Sequence, residues 1–395
     1  MKVFCLGGAG RICMEAVRDL VEYSAFEIIT IGDFNLEAAE QLAASLDDPR
    51  VNAVQVNVHN HAATVEQLRG YDIVMDGTTI TLNGLSTACI AEAGCHGINL
   101  NGFGEEDASH DFFVQNGKVC LPGFGMTPGV TQMMAMHAAN QLSEVHEVRV
   151  SHGSYRPIAF SKSIAETTVY EYDPELPGRV VYEKGQFIQV EPFARPREIE
   201  LPEPYGKSIQ YIIPHAETRT LAKSLESKGV QLVEVRGTWP QPNMRLVHAL
   251  FEYGFLRNDR IKIGDRQVGI MDAVGQYLFE SREGHETELY GYSLHIEVTG
   301  ISAQTGEACR HTLTHTHPAS DGSVEGWEQL RAYTRNVGIP LAIATELIAS
   351  GQMICKDRTG ILSPEEAFEP SVIFEQLSRR GIFVHEKIES LQEVR

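Results

Sequence analysis

The sequence predicts an α/β protein: a doubly wound parallel sheet, then an inserted α+β domain, then C-terminal helices packing back on the first domain. Three observations carry this. Short apolar strands alternate with amphipathic helices over residues 1–124, the rhythm of parallel βαβ units. A glycine-rich turn, Gly7-Gly8-Ala9-Gly10, joins the first strand to the first helix. Longer strands then take over in residues 125–325, and residues 326–395 return to helix.

Each element has a local reason. Val3–Leu6 is a compact apolar strand, and Ile12, Ala16, Val17, Leu20 and Val21 form a stripe at helical spacing over residues 11–22. Ile28–Ile31 forms the second strand, and Asn35 is placed to cap a helix running to Leu46. Val54, Val56 and Val58 alternate as a third strand, and Asp72–Asp76 forms a fourth. A helix from about Asn83 stops at Gly94, a C′ glycine, before the strand Ile98–Leu100. In Thr127-Pro128, threonine as N-cap and proline at N1 are expected to open a helix to about Gln141. Strands follow over Glu147–His152, Val180–Val190, Gln231–Arg236 and Tyr292–Thr299, then helices over Trp327–Val337, Pro340–Ser350, Ser363–Phe368 and Ser371–Arg380.

Composition narrows the function. Lys+Arg 33 against Asp+Glu 53 gives 33 − 53 = −20, which argues against nucleic acid as the main partner. No run of apolar residues is long enough for a membrane span, and Met1-Lys2 leads into a strand rather than a signal peptide. Seven scattered cysteines without a C-x-x-C pair read as reduced thiols of a cytoplasmic protein. His315 and His317 share one strand face but lack a third ligand by spacing, so no metal is expected.

The glycine turn lies between a strand and an amphipathic helix, the context that a Rossmann dinucleotide site requires. Gly8 is expected to make the tight turn, and Gly10 to let the backbone approach a diphosphate. Ala9, Arg11 and Ile12 complete the loop, and Cys13 stands where a third glycine belongs. Asp33 lies 33 − 8 = 25 residues beyond Gly8, placed to accept the adenosine-ribose hydroxyls and repel a 2′-phosphate. NAD is therefore expected over NADP. Phe34, Val58, Gly77, Thr78 and Thr79, at the carboxyl edge of the sheet, fill out the expected cofactor set.

Several segments resemble the saccharopine dehydrogenase family, within it the lysine 6-dehydrogenase-like branch. They are Asp72–Asp76 with Leu82-Asn83, Ile90–Gly94, Asn99–Gly102, Gly123–Gly129, Gly338–Ala342 and Gly360–Glu366. The resemblance implies an NAD(P)-dependent oxidoreductase acting on a carbon–nitrogen bond of an amino acid or amine, as a homodimer or higher homo-oligomer. Oxidative deamination of a lysine-like amine is the favoured activity; a saccharopine- or carboxynorspermidine-type reductase and a non-catalytic NAD sensor stay open.

Hydride can leave a carbon bearing nitrogen only when the amine is neutral, so a base is required. His215 and Glu217 are the candidate acid–base pair. The Gly125–Gly129 turn, with Gly125 and Thr127, is expected to face the substrate, and Arg236 and Arg245 are candidate carboxylate partners.

Overall fold

The computed structural model describes residues 1–391 apart from Phe103, Pro177, Asn258 and 282–286. Two compact units emerge, residues 1–136 with 334–383, and residues 137–333 with 384–395.

In chain order the first unit opens with β1 (Lys2–Leu6), α1 (Cys13–Tyr23), β2 (Ile28–Asp33), α2 (Leu36–Leu46), β3 (Val51–Gln55), α3 (His61–Leu68) and β4 (Ile73–Asp76). It continues with α4 (Asn83–Ala93), β5 (His96–Asn99), α5 (His110–Gln115), β6 (Val119–Leu121) and α6 (Val130–Asn140). Asn35 caps α2 as expected, its Oδ1 accepting from Ala38 N at 3.2 Å. Gly94 ends α4 with φ 75°, the left-handed conformation glycine adopts at least cost.

The second unit contains β7 (Leu142–Tyr155), α7 (Lys162–Tyr170), β8 (Val180–Glu183), β9 (Gln186–Gln189), β10 (Arg197–Leu201), β11 (Gly206–Ile212) and α8 (Glu217–Ser224). After these come β12 (Leu232–Thr238), α9 (Gln241–Glu252), β13 (Arg260–Ile263), β14 (Arg266–Gly269), α10 (Ile270–Ser281), β15 (Gly291–Ser302) and β16 (Ala308–Thr316). The chain then runs through α11 (Leu330–Ala349), β17 (Gly360–Ile361), α12 (Pro364–Ala367), α13 (Pro370–Ser378) and β18 (Phe383–Ser390).

The first sheet has the order β17-β6-β5-β4-β1-β2-β3 and is parallel throughout. Strand order switches direction at β1, with β2 on one side and β4 on the other. That is where ligands bind in doubly wound sheets. Leu6 pairs with Gly32 and with Asp76, so the segments leaving β1, β2 and β4 emerge level with one another. Gly338 brings α11 against the start of α1: a Cβ there would stand 2.9 Å from both Ile12 O and Ala16 N. The C-terminal segment thus backs the glycine loop within the first unit.

The second sheet follows β10-β11-β12-β7-β15-β16-β18, with β8 and β9 off this path. Val148, Val150, Val233, Val235, Ile296, Val298 and Leu313 are buried, while Arg149, Glu234 and Glu297 alternate with them along the same strands, the two-residue period of a sheet.

Four expectations need correction. Residues 180–190 fold as a hairpin, because Lys184 and Gly185 both take positive φ. Pro340 lies inside α11 rather than opening a helix; buried Ile339, Leu341 and Ala342 flank it, so packing carries the helix through. Thr127 is not at the N-cap position of α6, which begins at Val130. The Thr127-Pro128 peptide is cis, and Gly129 N donates to Gln132 Oε1 at 2.6 Å instead. The last strand, β18, pairs in the second sheet, so the C-terminal residues do not all belong with the first unit.

Candidate active site

Gly7 leaves β1 with φ +68°, so the tight turn falls on Gly7 rather than Gly8. Gly8 has a different job. A Cβ on it would lie 2.7 Å from Cys5 O, so only glycine lets the loop press against its own strand. Gly10 is exposed, and its nearest obstacle to a Cβ is Gly7 O at 3.2 Å. The N-cap of α1, Ile12, makes no side-chain cap bond, and the first turn is closed by backbone bonds from Met14 N to Gly10 O at 2.9 Å and from Glu15 N to Ile12 O at 3.0 Å. Asp33 Oδ2 accepts from Ala9 N at 3.1 Å and Oδ1 from Asn35 N at 3.0 Å, tying the carboxylate at the end of β2 to the loop. The loop therefore fits a dinucleotide diphosphate, with Asp33 beside it.

Cys13 replaces the third glycine of the fingerprint, and the structure shows what makes that possible. A Cβ on Gly77 would fall 1.9 Å from Cys13 Sγ and 3.1 Å from its Cβ. The thiol occupies the space that a side chain at residue 77 would need, so the missing glycine reappears after β4. Gly77→Ala should therefore push the loop away and weaken NADH binding about tenfold or more, the scale of a 1–3 kcal/mol overpacking cost. Gly77→Ala combined with Cys13→Ala should recover most of that loss. Fluorescence titration with NADH checks both variants; wild-type affinity in the single variant would contradict the packing argument.

Beyond Gly77 the chain is held by Asp76, a residue the sequence reading passed over. Its Oδ1 accepts from Thr78 N at 2.9 Å and its Oδ2 from Ser86 Oγ at 2.5 Å. Burial raises the carboxyl's pKa. Thr78 Oγ1 also lies 3.2 Å from Ser86 Oγ, and Thr79 Oγ1 lies 2.9 Å from Thr81 Oγ1. Phe34 is 70% exposed beside Asp33. Val58 instead packs in the core with Val65 and Leu68, so its side chain serves folding rather than cofactor contact.

In the second unit, His215 and Glu217 do come together, with Nδ1 to Oε2 3.4 Å. His215 is one ring of a column. It stacks on His152 at 5.6 Å and 21°, His152 on Tyr292 at 5.8 Å and 25°, and Tyr292 on Tyr333 at 5.4 Å and 18°. The two histidines titrate in opposite directions. Burial lowers His152 to about 3, helped by the neighbouring His215. Burial also works against charge on His215, but Glu217 and then Glu171 outweigh it and raise the pKa. The arrangement holds one imidazole neutral beside one biased toward its cation, the separation of acid and base roles that proton transfer uses. His152 Nε2 has no hydrogen-bond partner among the described residues. A Cβ on Gly237 would stand 2.6 Å from it, so that glycine makes room for the ring.

The two predicted arginines are elsewhere. Arg236 already has a carboxylate, since its Nε and Nη2 donate to Glu234 at 3.0 Å each and its Nη1 donates to Arg195 O. It is corrected to a structural pair. Arg245 is exposed on α9, with no enclosure to strengthen an ionic contact. Gly125 and Thr127 belong to a closed turn in the first unit, where Gly125 N donates to Pro128 O at 2.7 Å and Val130 N to Gly125 O at 3.0 Å. That turn does not present a helix N-terminus directly after Thr127. His317 bonds Tyr205 OH at 3.0 Å and stacks on Trp327. Among the described residues no group of three His, Cys, Asp or Glu is placed to hold a metal.

Residues 3–120 match the family model described as the saccharopine dehydrogenase NADP binding domain, and residues 125–382 match the saccharopine dehydrogenase C-terminal domain. Among solved structures, saccharopine dehydrogenase (L-Glu forming) from Saccharomyces cerevisiae is similar at a TM-score of 0.72 and 14% identity, covering 98% of this chain and 99% of that one. At that identity the likeness is one of fold. A probable dehydrogenase from Thermotoga maritima, at TM-score 0.46 and 13% identity over all of both chains, is too distant to carry an argument.

Proposed function

The chain belongs to the saccharopine dehydrogenase family, and on that premise we propose that it oxidises the carbon–nitrogen bond of a lysine-like terminal amine with NAD. The family membership makes it an NAD(P)-binding oxidoreductase; the substrate and the choice of NAD are our reading. The observation that carries the reading is the pairing of His215 with Glu217 beside a histidine held neutral.

Bound nicotinamide supplies the hydride acceptor. The chain's own residues do the rest. The Gly7–Ile12 loop and the α1 N-terminus hold the diphosphate, and Asp33 holds the ribose. His215 takes the proton that must leave the substrate ammonium before the nitrogen lone pair can assist hydride departure. Glu217 stabilises the imidazolium that results. In deamination the resulting iminium carbon then takes up water, and His215 returns or removes a proton in that step.

Incubating [4-²H]NADH with the enzyme and a panel of imines and aldehydes plus ammonia tests the reading. Deuterium should appear at the carbon bearing nitrogen in the product amine; folded, NADH-binding enzyme that labels no panel member would refute it. Asp33 carries the cofactor part. KM for NADP should exceed that for NAD by at least tenfold, and Asp33→Ser should narrow the gap, because it removes the carboxylate that repels a 2′-phosphate. An enzyme that prefers NADP would overturn this assignment.

A further inference from the structure

Glu106 lies on the short 3₁₀ turn Glu105–Ser109, between β5 and α5, and is fully buried. Its Oε1 accepts from Asn83 Nδ2 at 2.5 Å, Asn99 Nδ2 at 3.1 Å and Gly102 N at 3.3 Å, and its Oε2 accepts from Gly104 N at 3.2 Å. Gly102 and Gly104 take φ of 101° and 98°, the left-handed conformation that lets successive N–H groups close on an anion. All four partners donate and none accepts, a shell that suits a carboxylate rather than a carboxylic acid. Other buried carboxylates of this chain have a cation beside them: Glu15 has Arg18, Asp19 has Arg380 and Glu234 has Arg236. Glu106 forms no ion pair with any described residue.

Its place in the sheet gives that charge a consequence. Leu6, Asp76 and Asn99, the last residues of β1, β4 and β5, are neighbours in register. Asn99 Oδ1 also accepts from Asn101 N at 2.9 Å and from Gly123 N, just after β6, at 3.3 Å. Through Asn99, Glu106 is thus tied to the carboxyl edge of the β4–β6 half of the sheet. Asp33 assigns the adenosine to the β2 side, so in a doubly wound fold the nicotinamide falls to the β4–β6 half. Hydrogen bonds satisfy the oxygens of Glu106 but leave its net charge. In a low-dielectric interior that field reaches beyond the groups it touches.

Building on the dinucleotide site described above, we infer that Glu106 is a specificity residue for the oxidation state of the cofactor, favouring oxidised over reduced nicotinamide. The oxidised ring carries a positive charge and the reduced ring carries none, so a fixed anion nearby separates the two. Being fully buried, Glu106 acts through its field and not by contact. For an enzyme that takes hydride from an amine, the bias favours loading the form that accepts it.

The test titrates NAD and NADH separately into wild type, Glu106→Gln and Asn83→Ala and reads the heat of binding, with no turnover required. Wild type should bind NAD at least as tightly as NADH. Glu106→Gln removes the charge at nearly constant shape. It should raise the ratio of the NAD Kd to the NADH Kd about tenfold, the scale of one unit charge acting across ~10 Å at an effective dielectric constant of ~20. Asn83→Ala breaks one bond of the shell and keeps the charge, so its ratio should match wild type. A purely structural role would weaken both forms alike in Glu106→Gln, or shift the ratio equally in Asn83→Ala; either result overturns the inference. Wild type that binds NADH far more tightly than NAD overturns it whichever variants fold. A chain that binds neither form overturns the inference together with the dinucleotide site. One that binds both without the expected bias leaves the site standing and removes only the role of Glu106.

Discussion

Replacing His215 with Gln should lower turnover by ~10²-fold or more, the usual contribution of a positioned acid–base group. The substitution keeps a polar side chain of similar reach, so a large loss reports proton transfer rather than a collapsed core. Glu217→Gln gives the complementary signature. Burial alone would push His215 below its ordinary value; Glu217, the stronger of the two carboxylates opposing burial, contributes most to holding it above. As a base, His215 must be deprotonated, so the ascending limb of kcat against pH should lie above the ordinary histidine range. Glu217→Gln should move that limb to lower pH. Stability follows the same linkage with its own sign. A raised folded-state value stabilises below the unfolded pKa and is lost as pH rises through the folded one. Unchanged turnover in His215→Gln would remove this residue from the mechanism.

Arg380→Met should cost ~3–5 kcal/mol of stability, because it strands a buried carboxylate. Arg380 Nε donates to both oxygens of Asp19, at 2.8 and 2.9 Å, and its guanidinium lies 4.3 Å from the Tyr23 ring centroid. The pair joins residues 361 positions apart, clamping the end of α13 to α1, the helix that begins at the cofactor loop. Burial raises Asp19 to about 6 despite Arg380, so the carboxylate is mostly ionised at pH 7 and needs its partner. The sign for Asp19 is the reverse of a typical salt-bridged acid. Its folded pKa lies above the unfolded 3.8, so its contribution favours folding at low pH and is lost as pH rises through about 6. Asp19→Asn together with Arg380→Met should recover much of the loss. Urea unfolding at pH 5 and pH 7 measures both effects, and a single variant within 1 kcal/mol of wild type would contradict the clamp.

The first unit was legible because its signals are local. Strand, glycine turn, helix and Asp33 lie within one short stretch, and each constrains only its neighbours. Asn35 and Gly94 announced helix ends for the same reason. Signals failed where tertiary packing overrode them. Pro340 suggests a helix start, yet buried neighbours on both sides carry α11 through it. Thr127-Pro128 has the residues of a helix entry, but the turn closes on Gly125 instead. The replacement of the third glycine by Cys13 looked like a defect until Gly77, 77 − 13 = 64 residues later, proved to leave space for its thiol.

The site in the second unit was half legible. His215 and Glu217, two positions apart at a helix start, could be picked as a pair from sequence. Their stacking partners could not: His152, Tyr292 and Tyr333 come from three distant segments. Arginines posed the same difficulty more sharply. Whether an arginine has a carboxylate depends on what folds beside it, so Arg236 and Arg156 cannot be told apart from their flanking residues. Only the structure gives Arg236 its Glu234 and leaves Arg156 among aromatic rings.

Calorimetric titration of the folded chain with NADH, repeated with Asp33→Ala, bears most directly on the claim that the amino-terminal glycine turn grips a dinucleotide. We expect saturable heat at a stoichiometry of one per chain and an affinity at least tenfold weaker in the variant. No heat with NADH or NADPH from a chain that unfolds cooperatively would contradict the account at its base.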